Sequence, residues 1–143
     1  MIAIGSDHGG YDLKQLVIEH LKKRGFEVKD FGTYSKDSCD YPEFGHAVAK
    51  AVASKECEQG IVICTTGIGI SISANKVKGI RCALCSDVCS AELTRLHNDA
   101  NVLALGAGIV GSNLALRIVD AFLDTKFSGD ERHSRRISKI EQL

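Results

Sequence analysis

Cys64 lies where an apolar run gives way to small and polar residues, in the segment Ile63-Cys64-Thr65-Thr66-Gly67-Ile68-Gly69. A glycine-rich turn that leads into a helix offers unpaired backbone N–H groups and the positive end of the helix dipole. The N–H groups of Gly67 and Gly69 could therefore bind a phosphate or stabilise a developing oxyanion. The same field would favour a Cys64 thiolate able to abstract a proton. The alternative is a small buried side chain at a strand end.

Two histidines with polar neighbours are the next candidates. Asp7 and His8 follow the first apolar run and precede two glycines, so they either cap a helix or line a site. His97, followed by Asn98, stands at the end of a predicted helix. It could compensate the dipole of that helix or act as a general acid or base. Because this helix end lies away from the carboxyl ends of the strands, His97 is predicted near the opposite edge of the subunit from Cys64, or against a partner subunit.

Arg132 and Arg136 are four residues apart on a predicted C-terminal helix, with His133 and Arg135 beside them. Residues four apart share one face of a helix, so the two guanidinium groups could bind a single anion. A solvated basic face is the alternative interpretation.

The cysteine and glycine spacings argue against two common kinds of cofactor site. Cys82 and Cys85 have the spacing of a metal knuckle, but in a strand they would point to opposite faces. No second ligand pair follows at the spacing of a zinc finger, so packing in the core is predicted. Gly67 and Gly69 lack the third glycine of a dinucleotide fingerprint, and no Walker lysine follows them. We therefore expect no metal and no cofactor.

Strand-length apolar runs alternate with segments of helical spacing along most of the chain. This alternation predicts an α/β fold with a parallel sheet covered on both faces, in three layers. Ligands in such folds bind at the carboxyl ends of the strands, near the point where strand order reverses. The five predicted strands are Ile2–Gly5, Glu27–Phe31, Gly60–Cys64, Ile80–Cys85 and Asn101–Leu105.

The helices are predicted from apolar spacing and from residues typical of helix ends. Cations followed by Gly25 suit the end of the first helix, and Pro42 suits the start of the second, after a loop from Gly32 to Asp40. The C-terminal helix has Ile137 and Ile140 as its predicted apolar contacts. The later helices are predicted over Asp87–His97, Gly111–Asp124 and Arg132–Gln142.

Length and composition favour one ordinary globular domain over residues 1–143, with 44% hydrophobic and 25% charged residues. Lys plus Arg equals Asp plus Glu at 18 each, so no global charge favours nucleic acid or an acidic membrane. The first residues lack the pattern of a secretion signal, and no apolar run is long enough to span a membrane. A cytoplasmic location is therefore expected, with the six cysteines reduced and disulfides as the alternative.

Seven motifs taken together resemble the ribose-5-phosphate isomerase B family, which also includes galactose-6-phosphate and allose-6-phosphate isomerases. The resemblance covers the whole chain in order and spacing, and the stretch from Cys64 to Lys76 is its most specific part. It implies a single-domain, five-stranded Rossmann-like sheet within an αβα sandwich. The motifs are Gly5–Gly10, Asp40–Pro42, Cys64–Ser71, Ala74–Lys76, Gly79–Arg81, His97–Asp99 and Asn101–Leu103.

The resemblance implies metal-free interconversion of ribose 5-phosphate and ribulose 5-phosphate through an enediolate. By similarity, Cys64 moves the proton between carbons 1 and 2, and Thr66 hydrogen-bonds the reacting end of the sugar. The N–H groups of Gly67 and Gly69 would stabilise the negative oxygen. Ser71 belongs to the implied substrate-binding residues of the same stretch.

The family pattern also implies roles for residues distant in sequence. Ring opening falls to His97, helped by Asp7, while Asn98 supports the enediolate and Tyr41 borders the sugar. Phosphate binding is implied for His8, Arg132 and Arg136. Family members are homodimers, or dimers of dimers, whose active sites take residues from both chains.

Gly108 departs from the family pattern, because several relatives carry an arginine there that adds to the phosphate site. The departure keeps a hexose 6-phosphate, such as allose or galactose 6-phosphate, as an alternative substrate. A non-catalytic sugar-phosphate-binding subunit is the alternative from another class, although Cys64, Thr66 and His97 argue against it. A flavodoxin-like nucleotide-binding module fits the fold alone.

Overall fold

The computed structural model describes residues 1–143, which form one five-stranded sheet with helices on both faces. The strand order is β2-β1-β3-β5-β4, and all neighbouring strands are parallel. This arrangement confirms the predicted α/β sandwich, and each predicted strand overlaps an observed one with ends that differ by at most two residues. The strands are β1 (Ile2–Ser6), β2 (Val28–Asp30), β3 (Gln59–Cys64), β4 (Cys82–Leu84) and β5 (Val102–Gly106).

Six α-helices connect and cover the strands, and a short 3-10 turn, His8–Gly10, precedes the first. Pro42 lies in the first turn of α2, where a missing N–H costs no intrahelical hydrogen bond. Asp87 caps α4, because its carboxylate accepts a hydrogen bond from the N–H of Ser90 at 2.6 Å. The helices are α1 (Tyr11–Lys23), α2 (Tyr41–Ala53), α3 (Ile68–Asn75), α4 (Val88–Asn98), α5 (Ser112–Asp124) and α6 (Glu131–Glu141).

Two separate hydrophobic clusters fill the space between the sheet and its helices. Ile2 and Ile4 of β1 pack in the cluster under α1 and α5, whereas Ala3 packs in the cluster under α2 and α3. Successive strand residues point to opposite faces, so a strand buried on both faces is apolar throughout. Cys82 and Cys85 also lie on opposite faces, as predicted: Cys85 belongs to the first cluster and Cys82 packs against the second.

The C-terminal helix packs differently from the prediction. Ile140 is 56% exposed and Ile137 is half-buried, so the expectation that both supply the apolar contacts was wrong for Ile140. The buried residue of α6 is His133. The spacing of apolar residues predicted that α6 is a helix. It did not predict which face packs on α4, because the buried residue on that face is a histidine and not an apolar side chain.

The sheet reverses its strand order between β1 and β3, since β2 lies beyond β1 and β5 lies beyond β3. In parallel α/β sheets, ligands bind at the carboxyl ends of the strands that flank this point. Ser6 pairs with Ile63, so Asp7 and Cys64 stand side by side at this edge. None of the helices is both long and apolar enough to cross a bilayer.

Candidate active site

A cavity of about 470 Å³ opens at the carboxyl ends of β1 and β3. It brings together five of the residues predicted from the sequence, which lie directly after β1, at the start of α2, and between the end of β3 and the first turn of α3. Exposed apolar side chains of α3 form part of its rim. The lining residues are Asp7, Tyr41, Cys64, Thr65, Thr66, Ile68, Gly69 and Ile72.

Cys64 is the last residue of β3, and only 5% of its surface is exposed. The backbone N–H of Gly67 donates a hydrogen bond to its Sγ at 3.1 Å. Gly67 has a φ of +75°, and a Cβ there would lie 2.8 Å from the backbone carbon of Leu105 and 2.9 Å from the nitrogen of Gly106. Glycine is therefore required, and the turn that it makes aims an N–H dipole at the sulfur. Such a donor stabilises a thiolate.

The other predicted residues of this stretch divide between the cavity and the helix. Thr66 is exposed, and its Oγ1 accepts a hydrogen bond from the N–H of Ile68 at 3.2 Å. The ring of Tyr41 covers Gly69, where a Cβ would lie 2.6 Å from it. Ser71 is buried at 8% exposure outside the cavity lining, and its Oγ donates to the carbonyl of Ile68 at 2.7 Å. Its substrate-binding role stays a prediction.

Asp7 meets both interpretations given to it, whereas His8 neither caps the 3-10 turn nor lines the cavity. Asp7 lines the cavity and also caps the 3-10 turn, because its Oδ1 accepts a hydrogen bond from the N–H of Gly10 at 3.1 Å. The exposed ring of His8 is oriented by the N–H of Cys39, which donates to its Nδ1 at 3.3 Å. An Nδ1 that accepts leaves the proton on Nε2, so His8 presents Nε2–H as a donor.

His97 lies near the amino ends of the strands, whereas Cys64 lies at their carboxyl ends. His97 is on the last turn of α4, which ends at Asn98 just before β5 starts, whereas Cys64 ends its strand. The ring of His97 stacks on that of His133 of α6, with centroids 4.4 Å apart and planes inclined by 21°. Burial chiefly, then the neighbouring His97 and Arg132, lowers the pKa of His133. Sequence reasoning named His133 only as a neighbour of the arginines, and a buried imidazole leaves no periodic signal.

Arg132 and Arg136 lie on α6, and both are exposed. The Nε of Arg132 lies 3.6 Å from a carboxylate oxygen of Asp130. Arg81 joins this helix to the end of α4, because it donates to the carbonyls of Asn98 and Asp99 at 2.9 Å each and pairs with Glu141 at 2.8 Å. Sequence reasoning missed this connecting role of Arg81.

The predicted site residues thus form two groups within one chain. The first group surrounds Cys64 at the carboxyl edge of the sheet, and the second comprises His97, Asn98, Arg132 and Arg136 on α4 and α6. A larger depression, of about 800 Å³, runs between α3, β4, α4 and α6, and Asn98 is the only predicted site residue in its lining. One chain does not bring the two groups together.

The other five cysteines range from buried (Cys57 and Cys85) through partly buried (Cys39 and Cys82) to exposed (Cys89). Burial raises the pKa of Cys85 to about 11 and raises that of Cys82 further. No three His, Cys, Asp or Glu side chains come together in a geometry that could hold a metal ion. The thiol that combines a cavity with a hydrogen-bond donor is that of Cys64.

Comparisons with known proteins identify the family. The family model described as Ribose/Galactose Isomerase matches residues 2–140. Ribose-5-phosphate isomerase B of Escherichia coli (strain K12) is 51% identical over 142 residues, covering 99% of this chain and 95% of that protein.

Solved structures give the same result. Ribose-5-phosphate isomerase B of Clostridium thermocellum is 58% identical, with a TM-score of 0.97 over 99% of this chain and 95% of that one. The enzyme of the same name from Mycoplasma genitalium, solved with bound ribulose-5-phosphate, is 44% identical, with a TM-score of 0.94 over 99% and 93% of the two chains. The chain belongs to the ribose/galactose isomerase family.

Proposed function

We propose that the protein is an aldose-ketose isomerase that interconverts ribose 5-phosphate and ribulose 5-phosphate through an enediolate. The observation that carries this function is the hydrogen bond from the Gly67 N–H to the Cys64 sulfur, in a cavity at the reversal point of the sheet. The sulfur that accepts this hydrogen bond can act as a base, and the adjoining cavity is large enough for a small sugar phosphate. The relatives named ribose-5-phosphate isomerase B support the choice of substrate.

The Cys64 thiolate takes the proton from carbon 2 of the open-chain aldose. The electron pair of that C–H bond forms the double bond between carbons 1 and 2, and the carbonyl oxygen takes the negative charge. Thr66 hydrogen-bonds the two oxygens as a proton passes between them, and the Cys64 thiol returns its proton to carbon 1. The N–H of Gly69, in the first turn of α3, has no intrahelical acceptor and stabilises the charged oxygen.

The active site is shared between two subunits of a homodimer, which could pair further as a dimer of dimers. His97 and Asn98 of the partner subunit open the sugar ring and support the enediolate, together with Asp7 of the first chain. The wide separation of the two groups within one chain supports this proposal. Two exposed side chains of α3 beside the cavity, Ile68 at 52% and Ile72 at 56%, offer an apolar surface for the partner.

The phosphate is bound by His8 of one chain and by Arg132 and Arg136 of the partner subunit. His8 contributes its Nε2–H, and the two exposed guanidinium groups contribute charge and paired donors. Replacing either arginine with alanine should raise KM for a sugar phosphate and leave turnover of an unphosphorylated sugar nearly unchanged. An equal loss on both kinds of substrate would show that the arginines act elsewhere.

A cytoplasmic location is part of the proposal, supported by six cysteines that are all free thiols. The proposed function needs neither a metal nor a cofactor.

A substrate panel tests the function. Purified protein is assayed on ribose, allose and galactose phosphates, with and without excess chelator. We expect ribose 5-phosphate to give the highest kcat/KM, and chelator to leave it unchanged. A preference for a hexose 6-phosphate would favour the alternative substrate, which the absence of a cation at Gly108 also suggests. No turnover of any of the three would favour a non-catalytic binding subunit.

Heterodimers test whether the site is shared. Cys64→Ala and His97→Ala chains carrying different tags are co-expressed, and the mixed dimer is purified. If each site takes Cys64 from one chain and His97 from the other, one site carries both defects and the other carries neither. The mixed dimer should then recover up to half of the wild-type activity, although each parent is nearly inactive. No recovery in a confirmed mixed dimer would place both residues in one chain's site.

A further inference from the structure

Thr65, the residue after the proposed base, fills a slot between two glycines. Its Oγ1 would lie 2.2 Å from a Cβ at Gly9, and its Cγ2 would lie 3.1 Å from a Cβ at Gly108. The N–H of Gly108 also donates a hydrogen bond to the Thr65 carbonyl at 2.8 Å. The side chain is therefore held by the segments that follow β1 and β5, and a Cβ would overlap it at Gly9 and press tightly against it at Gly108.

The hydroxyl of Thr65 is available to a ligand. Thr65 is exposed and lines the same cavity as Cys64 and Asp7. Of the neighbouring hydroxyls, Ser71 already donates to the Ile68 carbonyl, and Thr66 accepts from the N–H of Ile68, which leaves its own proton for the reacting end of the sugar. The Thr65 hydroxyl has no such partner, so binding a ligand would break no internal hydrogen bond.

Thr65 and Cys64 face different sides of the cavity. Cys64 packs with the hydrophobic cluster under α2 and α3. Thr65 contacts Gly9, in the turn that carries His8, and this turn packs on Ile63 of the other cluster. A sugar with its reacting carbons at the Cys64 sulfur could therefore extend its far end toward Thr65 and the turn that carries His8.

We propose that Thr65 is a substrate-binding residue whose Oγ1–H donates a hydrogen bond to a phosphate oxygen of the sugar phosphate. The Thr65 hydroxyl is an uncharged donor in the part of the cavity wall formed by Thr65, Gly9 and Gly108. The Thr65 methyl group limits the size of the side chain at position 108. This inference rests on the proposed function and adds a residue to its phosphate site. The charge at the site comes from other residues.

Thr65→Val and Thr65→Ser form a matched pair that tests the hydroxyl. Valine keeps the shape but removes the donor, whereas serine keeps the donor and removes the methyl group. Binding of inorganic phosphate and of ribose 5-phosphate is measured by calorimetry on the intact protein. We expect valine to weaken both by about tenfold, the loss typical of one hydrogen bond to a charged group. Serine should stay within about threefold of the wild type.

Unchanged binding in Thr65→Val would overturn the proposal. An equal drop in kcat/KM for ribose and for ribose 5-phosphate would also overturn it, because a phosphate contact affects only the phosphorylated sugar. Calorimetry separates this proposal from the proposed function. If the wild type binds ribose 5-phosphate without turning it over, the function fails, and the Thr65→Val comparison still decides the phosphate contact.

A second variant tests the slot itself. Gly108→Ala places a methyl group 3.1 Å from Cγ2 of Thr65 and 3.1 Å from its carbonyl oxygen, so Thr65 has to shift, and replacing Thr65 with serine relieves the first of these contacts. We expect Gly108→Ala to weaken phosphate binding in the wild-type background and to have a smaller effect in Thr65→Ser, which lacks that Cγ2. Equal effects in both backgrounds would show that the two residues are not coupled, and would overturn this part of the proposal.

Discussion

Lys14 of α1 is a charged side chain with no solvent exposure. Its ammonium group donates to both carboxylate oxygens of Asp30, at 2.7 and 2.9 Å, and to the carbonyl of Thr33 at 2.7 Å. The chain continues from Thr33 to Cys39, whose N–H orients His8. We predict that Lys14→Met lowers the free energy of unfolding and, through this segment, weakens binding of the substrate phosphate.

The size of the loss follows from what methionine removes. Methionine replaces most of the buried stem, so the cost falls on the ammonium group and its three hydrogen bonds. Removing one partner of a buried ion pair costs roughly 3–5 kcal/mol. Asp30 is 29% exposed and also accepts a hydrogen bond from the N–H of Gly32 at 2.9 Å, so its carboxylate would still be solvated and hydrogen-bonded after the ammonium group is removed. We therefore expect about 3 kcal/mol, at the low end of that range.

Urea unfolding followed by circular dichroism measures this loss, at equal protein concentrations because an oligomer's apparent stability depends on concentration. Lys36→Met is the matched control. Lys36 pairs with Asp12 at 3.0 Å, but the side chains are 67% and 73% exposed. An exposed pair of this kind contributes less than about 1 kcal/mol. If Lys14→Met were no more destabilising than Lys36→Met, the reasoning about the buried ammonium group would be refuted.

Three further variants test other parts of the account. Gly67→Ala should lower both the melting temperature and kcat, because φ is +75° and β5 leaves no room for a Cβ; a wild-type melting temperature would contradict this. Ser6→Ala should raise stability by about 1 kcal/mol in thermal unfolding, because the buried Oγ has no protein partner; a loss would show that the hydroxyl is satisfied. Burial chiefly, and then His97 and the α6 arginines, lower the pKa of His133 below 6.5, so protonation favours the unfolded state. The contribution of the neutral His133 ring to stability is present above pH 6.5 and is lost as the pH falls below that value. The melting temperature of His133→Asn should therefore vary less than that of the wild type from about pH 5 to 7. Parallel curves for the two proteins would exclude the effect.

The sheet and the residues that follow its strands could be predicted from the sequence, because both depend on local patterns. Apolar runs between helical segments gave five parallel strands, and glycines after β3 marked the turn at Cys64. Asp7 and Cys64 were expected near each other, because residues that follow strands of a parallel sheet share one edge. The structure places them in one cavity.

Contacts that depend on the packing of distant helices were not predictable in this way. The stacking of His133 on His97 joins α6 to α4, and the hydrogen bonds of Arg81 reach residues far along the chain. Thr65 was overlooked because its environment is set by Gly9 and Gly108, which come from two other segments. Ile140 was assigned to the interior from its apolar character alone, although a single exposed isoleucine is ordinary.

The central claim is that Cys64 is the base that moves the substrate proton. Its most direct test is exchange of the carbon-bound hydrogen of ribulose 5-phosphate with deuterium oxide, followed by NMR. The wild type should incorporate deuterium at carbon 1, and Cys64→Ser, which keeps the shape but is far less acidic, should slow exchange by about 10²–10⁴-fold. A folded Cys64→Ser protein that exchanges deuterium at the wild-type rate would contradict the claim.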